Sequence, residues 1–358
     1  MSRILCLDVG AGTLDILWVD TERELPLKAV VASPVRTIAE RIERLTGDLL
    51  VTGGEMGGGP VTEVLRRRAR THRVWITSEA AATLHHDPEV VRSWGFERIE
   101  AAEAETIRRR FGPAHVVLAD IEIDRLRRLV EGFGVPFAFE FVVLCLQDHG
   151  VPASGGSHLD FRHRLYRGPL ESGGRLHELL WRSEEIPAAL NRLRSAAAAA
   201  RGLPAGAVYA MDSGLAAVAG AALDPRAPAD RPFLVLDVAT SHTVCAARDG
   251  EELCALAEIH TRDLTPERLQ ELVRRTAAGD LDHARLLAEG GHGAYLRRAA
   301  GEEALGCILA TGPKRRLAAG IRPPVLWGAP FGDNLMTGCV GLLDCLCRRE
   351  GLPRVCFL

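Results

Sequence analysis

The stretch Ile4–Asp20, "ILCLDVGAGTLDILWVD", decides how the rest of the chain is read. An apolar strand ends in Asp8, a turn with Gly10 and Gly12 follows, and Thr13 opens a second apolar strand. The layout returns at Phe233–Asp249, "FLVLDVATSHTVCAARD", offset by 229 residues, with Leu-Asp-Val identical and Asp20 matched by Asp249. A glycine turn lets a phosphate approach backbone N–H groups, and Thr13 adds a hydroxyl. A carboxylate beside that phosphate repels it unless a cation lies between them. A hydrated Mg2+ held by one or two carboxylates and a phosphate is the usual arrangement. Two such hairpins facing across a cleft make a clamp in which Asp8 and Asp237 share the metal and serve catalysis. The plainer reading, a hairpin with a capping Asp, explains either copy alone but not the repeat.

The composition sets bounds. A chain of 358 residues favours two domains. Hydrophobic and charged fractions of 47% and 25% are those of a globular protein, and a net charge of −3 gives no case for nucleic acid or an anionic membrane. "RRRAR" (Arg66–Arg70) and "RRR" (Arg108–Arg110) read as solvated helix faces. The longest apolar run, Val135–Leu146, contains Glu140 and is too short to span a bilayer. With the first strand starting near Ile4, no signal peptide is visible, and a cytoplasmic location is expected. The nine cysteines then read as reduced thiols. Cys339, Cys345, Cys347 and Cys356 lack zinc-site spacing and read as buried small hydrophobes.

Along the chain, "LKAVVAS" is a third strand and "SPVRTIAERIERLTG" a helix capped by Ser33. Strands and helices then alternate through "DLLVTGG", "HRVWIT", "HVVLAD", "IDRLRRLVEGFG" and "FEFVVLCLQDHG". Pro152–Arg175 is rich in Gly and Ser and weakly periodic, so it reads as a long loop. A helix with Pro187 near its start follows, then a strand and a small-residue helix over Ala207–Asp224. Residues 225–232, "PRAPADRP", form the clearest linker. This predicts an α/β protein with a domain at 1–224, a linker at 225–232 and a related domain at 233–358, whose final helix packs back on the first domain.

Five motifs carry a resemblance. "DVGAGTLD" resembles the phosphate-1 motif of the actin, heat-shock-chaperone and sugar-kinase (ASKHA) superfamily, and "LDVATSHT" resembles phosphate-2. "MDSGLAAVAGA" resembles its connecting helix, "CILATGPKRRL" its adenosine segment, and "GAPFGDNLMTGCVGLL" its final strand-to-helix segment. They occur in family order and span nearly the whole chain. The resemblance implies a two-domain actin-like ATPase fold, ribonuclease H-like in each half, with ATP and Mg2+ in the interdomain cleft. It places Gly10, Ala11, Gly12, Thr13, Ser241, His242, Thr243, Thr311, Gly312, Lys314 and Arg315 at the nucleotide. More narrowly, "LQDHG", "SHT", "GGHGA" and "GDNLMTGCVGLL" are similar to a family often labelled as pyruvate formate-lyase activating enzymes. Radical chemistry of that kind needs Cys-x3-Cys-x2-Cys, which this sequence does not contain. One departure matters: Ala239 stands where the second hairpin usually has Gly, and its Cβ threatens to crowd a phosphate or block a positive φ.

Other candidates lie beside the clamp. Gln147 and Asp148 end an apolar strand, as a water-orienting group and a general base; a solvated turn is the alternative. Gly53, Gly54 and Glu55 in "TGGEMGGG", with His149, Asp212 and His292, are candidates for a substrate site. His149, His242, His260 and His292 sit in short polar contexts. With Glu258 or Asp148 they suit a transition metal or an anionic substrate, but no two have metal-motif spacing, so independent roles are expected. The expected function is Mg2+-dependent ATP binding with hydrolysis or phosphotransfer. The alternatives are a small-molecule kinase, or a non-catalytic regulator with a protein partner; an oligomer is compatible with each.

Overall fold

The computed structural model describes residues 2–22, 26–152, 158–301 and 305–355. The first quoted stretch forms β1 (Arg3–Val9) and β2 (Thr13–Asp20), followed by β3 (Leu27–Ala32). Four strands then build a separate all-parallel sheet: β4 (Leu49–Gly53), β5 (Val74–Thr77), β6 (Glu97–Ile99) and β7 (Ala114–Leu118), in the order β6-β5-β4-β7. The chain returns to the first sheet with β8 (Phe139–Leu146), β9 (Trp181–Arg182) and β10 (Ala205–Asp212). That sheet has the order β3-β2-β1-β8-β10-β9. Its hairpin strands are antiparallel, while β8 and β10 run parallel to β1.

The second half repeats the plan. β11 (Phe233–Val238), β12 (His242–Asp249) and β13 (Glu252–His260) are antiparallel. β14 (Gly293–Leu296) extends that edge, and β15 (Ile308–Thr311) and β16 (Leu326–Trp327) run parallel to β11. The order β14-β13-β12-β11-β15-β16 matches the core of the first sheet strand for strand. This is the two-domain actin-like, ribonuclease H-like α/β fold. β1 and β11 are central strands covered on both faces, which is why each reads as a continuous apolar run ending in one Asp.

Two helices join the halves. Ser213–Ala221 follows β10, and the final helix, Thr337–Glu350, packs on it and on β1 and β8. At their crossing a Cβ on Gly220 would collide with the Thr337 carbonyl, and one on Gly341 with that of Ala216. Cys339, Cys345 and Cys347 are buried in this packing, and burial pushes the last two thiols up to about 12 and about 11. Cys356 lies outside the described residues. The arginine runs are largely exposed on helices Pro60–Ala69 and Ala104–Phe111. Among the described residues no helix is long and apolar enough to cross a membrane.

The expected loop at Pro152–Arg175 is corrected. His158–Gly173 is a helix, and residues 153–157 lie outside the described part. Its buried stripe is Arg162, Tyr166 and Leu170, spaced by four. A charged residue in that stripe, with Gly168 and Pro169 in the helix, hides the apolar period. The alanine-rich helix begins at Asn191 rather than at Pro187, after a turn closed by Leu190 N–H donating to the Pro187 carbonyl.

Candidate functional site

The two hairpin turns face one another at the floor of a cleft between the halves, with a cavity volume of about 640 Å3. They close alike: Gly10 N–H donates to Thr13 O at 3.0 Å, and Ala239 N–H to His242 O at 3.1 Å. Neither Gly10 nor Ala239 has a positive φ, so the backbone objection to Ala239 falls away. A Cβ on Gly12 would stand 3.0 Å from Thr240 Oγ1, so its absence lets the turns approach. Gly312, at φ +86, lies under the second turn, where a Cβ would meet Val238 O at 2.5 Å. Gly10–Thr13, Ala239–His242 and Gly312 all line the cleft.

Three carboxylates gather at this floor. Asp8 pairs with Asp15 across the first hairpin, and Thr311 Oγ1 donates to Asp237 Oδ1 at 3.0 Å. Burial, followed by the charges of Asp237 and Asp212, pushes the Asp8 carboxyl up to about 7. Burial and then Asp8 push Asp15 up to about 8, and burial pushes Asp237 up to about 6. Buried Asp15 Oδ1 has no hydrogen-bond partner among the described residues. Gly338 stands against Asp8, where any side chain would overlap the carboxylate. Clustered acids held above their ordinary range, with an orphaned oxygen among them, fit a cation of the hard, oxygen-loving kind. The helices starting at Pro60, Ser213 and Thr337 also begin at the cleft; the Asp212 carboxylate caps the second, and the N-termini of the other two, without side-chain caps, favour an anion.

Gln147, Asp148, His149 and Gly150 line the same cleft, but several sequence candidates are already engaged by other contacts or lie outside it. Both oxygens of Asp148 accept backbone N–H groups, from Gly150 at 2.8 Å and Leu193 at 2.9 Å. The expected general base is thus a buried turn-fixing carboxylate. Gln147 Nε2 donates to Glu258 Oε1 at 2.5 Å. Asp212 caps helix Ser213–Ala221 by accepting from Gly214 and Leu215 N–H. Thr243 is buried against Thr261, and Lys314 donates to Thr240 O at 3.0 Å, bracing the second turn from behind. Arg315 donates to Gly328 O and lies over Trp327, outside the cleft lining. Gly53 and Gly54 are packing glycines: a Cβ would strike Leu118 on β7 or Ser195 on helix Asn191–Ala200. It is Glu55 and Gly57–Gly59 that line the cleft, with Gly57 N–H donating to Asp120 Oδ1 at 3.3 Å. Glu55 holds His86 at 3.0 Å.

Behind the turns, buried Arg162 bridges Asp212 and Glu258, each at 2.6 Å. Arg192 clamps Asp120 at 2.8 and 3.0 Å and donates to Gln147 O at 2.9 Å. Four histidines for which spacing gives only independent roles lie close together. His149, His242 and His292 converge, with one ring nitrogen from each lying within 4.8 Å of the others, and His260 Nε2 stands 2.8 Å from His292 Nε2. Burial, then Arg162 and the neighbouring rings, lowers His149 to about 2, and burial followed by the other rings lowers His242 to about 2. Burial lowers His292 to about 4, so these three rings are neutral near pH 7. Spacing could not disclose the cluster because its members come from a strand end, a hairpin and two strand margins. Asp15, Arg162 and Arg192 were missed. Asp15 left one signal, a carboxylate among buried apolar residues of β2.

The sequence profile of a family described as "Putative pyruvate format-lyase activating enzyme (DUF1786)" matches residues 56–317. No curated protein matches the chain. Among solved structures, an uncharacterised protein with similarity to peptidase YEAZ from Pseudomonas aeruginosa aligns at 12% identity and TM-score 0.32, over 98% of this chain and 94% of that one. The type II variant of the Aquifex aeolicus Ppx/GppA phosphatase aligns at 9% identity and TM-score 0.26, over 90% and 73% of the two chains.

Proposed function

The chain belongs to that family over residues 56–317, and from this premise we propose that its cleft binds a magnesium–nucleotide, ATP first, and supports phosphoryl transfer. The observation that carries the reading is the pair of matching turns, each following a strand-end Asp, opposed across one cleft that three helix N-termini also line. The family description names a pyruvate formate-lyase activating enzyme; among the described residues the free cysteines, all buried except Cys307, form no metal-holding group that would serve a cluster.

Asp8 and Asp237, with Asp15 beside them, are the residues suited to hold Mg2+, which when bound neutralises phosphate charge. The N–H groups of Gly10–Thr13 and Ala239–His242, with the Ser241 hydroxyl, are the donors to the phosphates. In phosphoryl transfer such positioning and charge stabilisation supply most of the catalysis. Gln147, whose amide nitrogen is engaged by Glu258, has its carbonyl oxygen left to orient an attacking water or hydroxyl. Closing the halves excludes competing water.

A regulatory, non-hydrolysing reading is favoured by the commitment of both Asp148 oxygens to the backbone. Calorimetry with ATP, ADP and GTP plus Mg2+, paired with an ADP-release assay over a metabolite panel, separates the two. Binding with turnover is expected, and Asp8→Asn and Asp237→Asn are each expected to weaken Mg2+-dependent binding. Binding without turnover moves the protein to the regulatory class. No binding of any nucleotide at millimolar concentration ends the proposal.

A further inference from the structure

We propose that His149, His242 and His292 form a site for a first-row transition-metal dication of the Zn2+ type, with an open coordination position turned toward the cleft. The donors come from both halves of the fold: His149 from the turn after β8, His242 from the second hairpin and His292 from the residue before β14. Their ligand nitrogens already lie within 4.8 Å of one another. In a tetrahedral site with Zn–N distances of about 2.0–2.1 Å, nitrogens stand roughly 3.4 Å apart, so small ring rotations complete the geometry.

The ring nitrogens carry the argument. Among the described residues, His149 Nδ1, both nitrogens of His242 and His292 Nδ1 are buried without a hydrogen-bond partner. Buried polar atoms rarely go unpartnered, and four in one cluster call for a shared ligand. The His292–His260 contact at 2.8 Å joins two Nε2 atoms, so one ring must donate. When His292 donates, its Nδ1 is left as a bare lone pair, and His260 becomes the outer partner that fixes the ligating tautomer. Three imidazoles select Zn2+, Co2+, Ni2+ or Cu2+ over Mg2+, whereas the oxygen cluster at Asp8, Asp15 and Asp237 has the opposite preference. The cleft thus offers two metal sites of different chemistry. The nitrogen site ties the first half to the second, and its open position suits water or an oxyanion of a substrate.

The test uses the full, tag-free chain stripped with a chelator, then titrated with Co2+ by visible absorption and with Zn2+ by calorimetry. One equivalent is expected, with the intense visible bands of low-coordinate Co2+. His149→Ala and His242→Ala should each abolish binding at micromolar metal, His260→Ala should weaken it about 10- to 100-fold, and Asp8→Asn should leave it intact. Metal-free melting curves matching wild type establish that ligands, and not the fold, were lost. Nitrogen-15 spectra of the wild-type histidines answer the same question without substitution: three or more rings should shift on adding one equivalent of Zn2+. Absence of micromolar binding by wild type, binding unchanged in both ligand variants, or fewer than three shifted rings overturns the site.

Discussion

Ala239 occupies the position that Gly10 holds in the first hairpin, and both make the same turn-closing hydrogen bond without a positive φ. The residue is therefore unstrained, and Ala239→Gly should cost about 0.4–1 kcal/mol through the greater freedom of the unfolded chain. Nucleotide affinity should stay level or rise; urea denaturation and calorimetry on the same samples check both halves of the statement. Arg162 behaves differently. It is buried between Asp212 and Glu258, so Arg162→Met strands two carboxylates and should destabilise by about 3–5 kcal/mol in denaturant melts. His86 tests the pH dependence. Its hydrogen bond to Glu55, despite some burial, raises its pKa above the ordinary 6.5. A raised pKa means that the folded state binds the proton more tightly, so the contribution is full below 6.5 and fades as pH rises through the folded value. With the His86 side chain 32% exposed, it amounts to at most about 1 kcal/mol. His86→Gln should therefore lower stability at mildly acidic pH and leave it unchanged at alkaline pH; an equal loss at both would reject the ion pair.

At the scale of elements, the crossing of helices Ser213–Ala221 and Thr337–Glu350 depends on absent side chains. Gly341→Ala forces a methyl against the Ala216 carbonyl and should cost about 1–3 kcal/mol by overpacking. Gly168→Ala is the contrast. Gly168 lies inside helix His158–Gly173 with nothing within 4 Å of a built Cβ, so the substitution should stabilise by about 0.5–1 kcal/mol. Thermal melts of the two variants should move in opposite directions, and movement in the same direction would contradict the packing described. That same helix marks a limit of sequence reading. Its inward stripe begins with a charge because Arg162 answers carboxylates that lie 50 and 96 residues away, and no local pattern records so distant a partner. Helix Pro34–Arg44, by contrast, was legible because Ser33 caps it and Val35, Ile38 and Ile42 form an ordinary apolar stripe.

For the whole molecule, a ligand that bridges the halves should stabilise them together. At a concentration of a hundred times its Kd, Mg-nucleotide should add about 2.7 kcal/mol to the unfolding free energy, read as a rise in melting temperature that Asp8→Asn and Asp237→Asn diminish. The sequence by itself determined the two hairpins, their repeat, the alternation of strands and helices and the strand-end aspartates. Each of these is a local record: a glycine turn, a continuous apolar run, a cap or a copy of the same segment. Only the tertiary structure decided that Asp15 joins the acidic floor, that Asp148 is spent on two backbone N–H groups, and that Gly53 and Gly54 serve packing while Gly57–Gly59 face the cleft. It also decided that histidines from four distant segments meet. Such contacts depend on how the sheets and helices stack, which places residues far apart in the chain within a few ångströms, and spacing along the chain carries no trace of that distance.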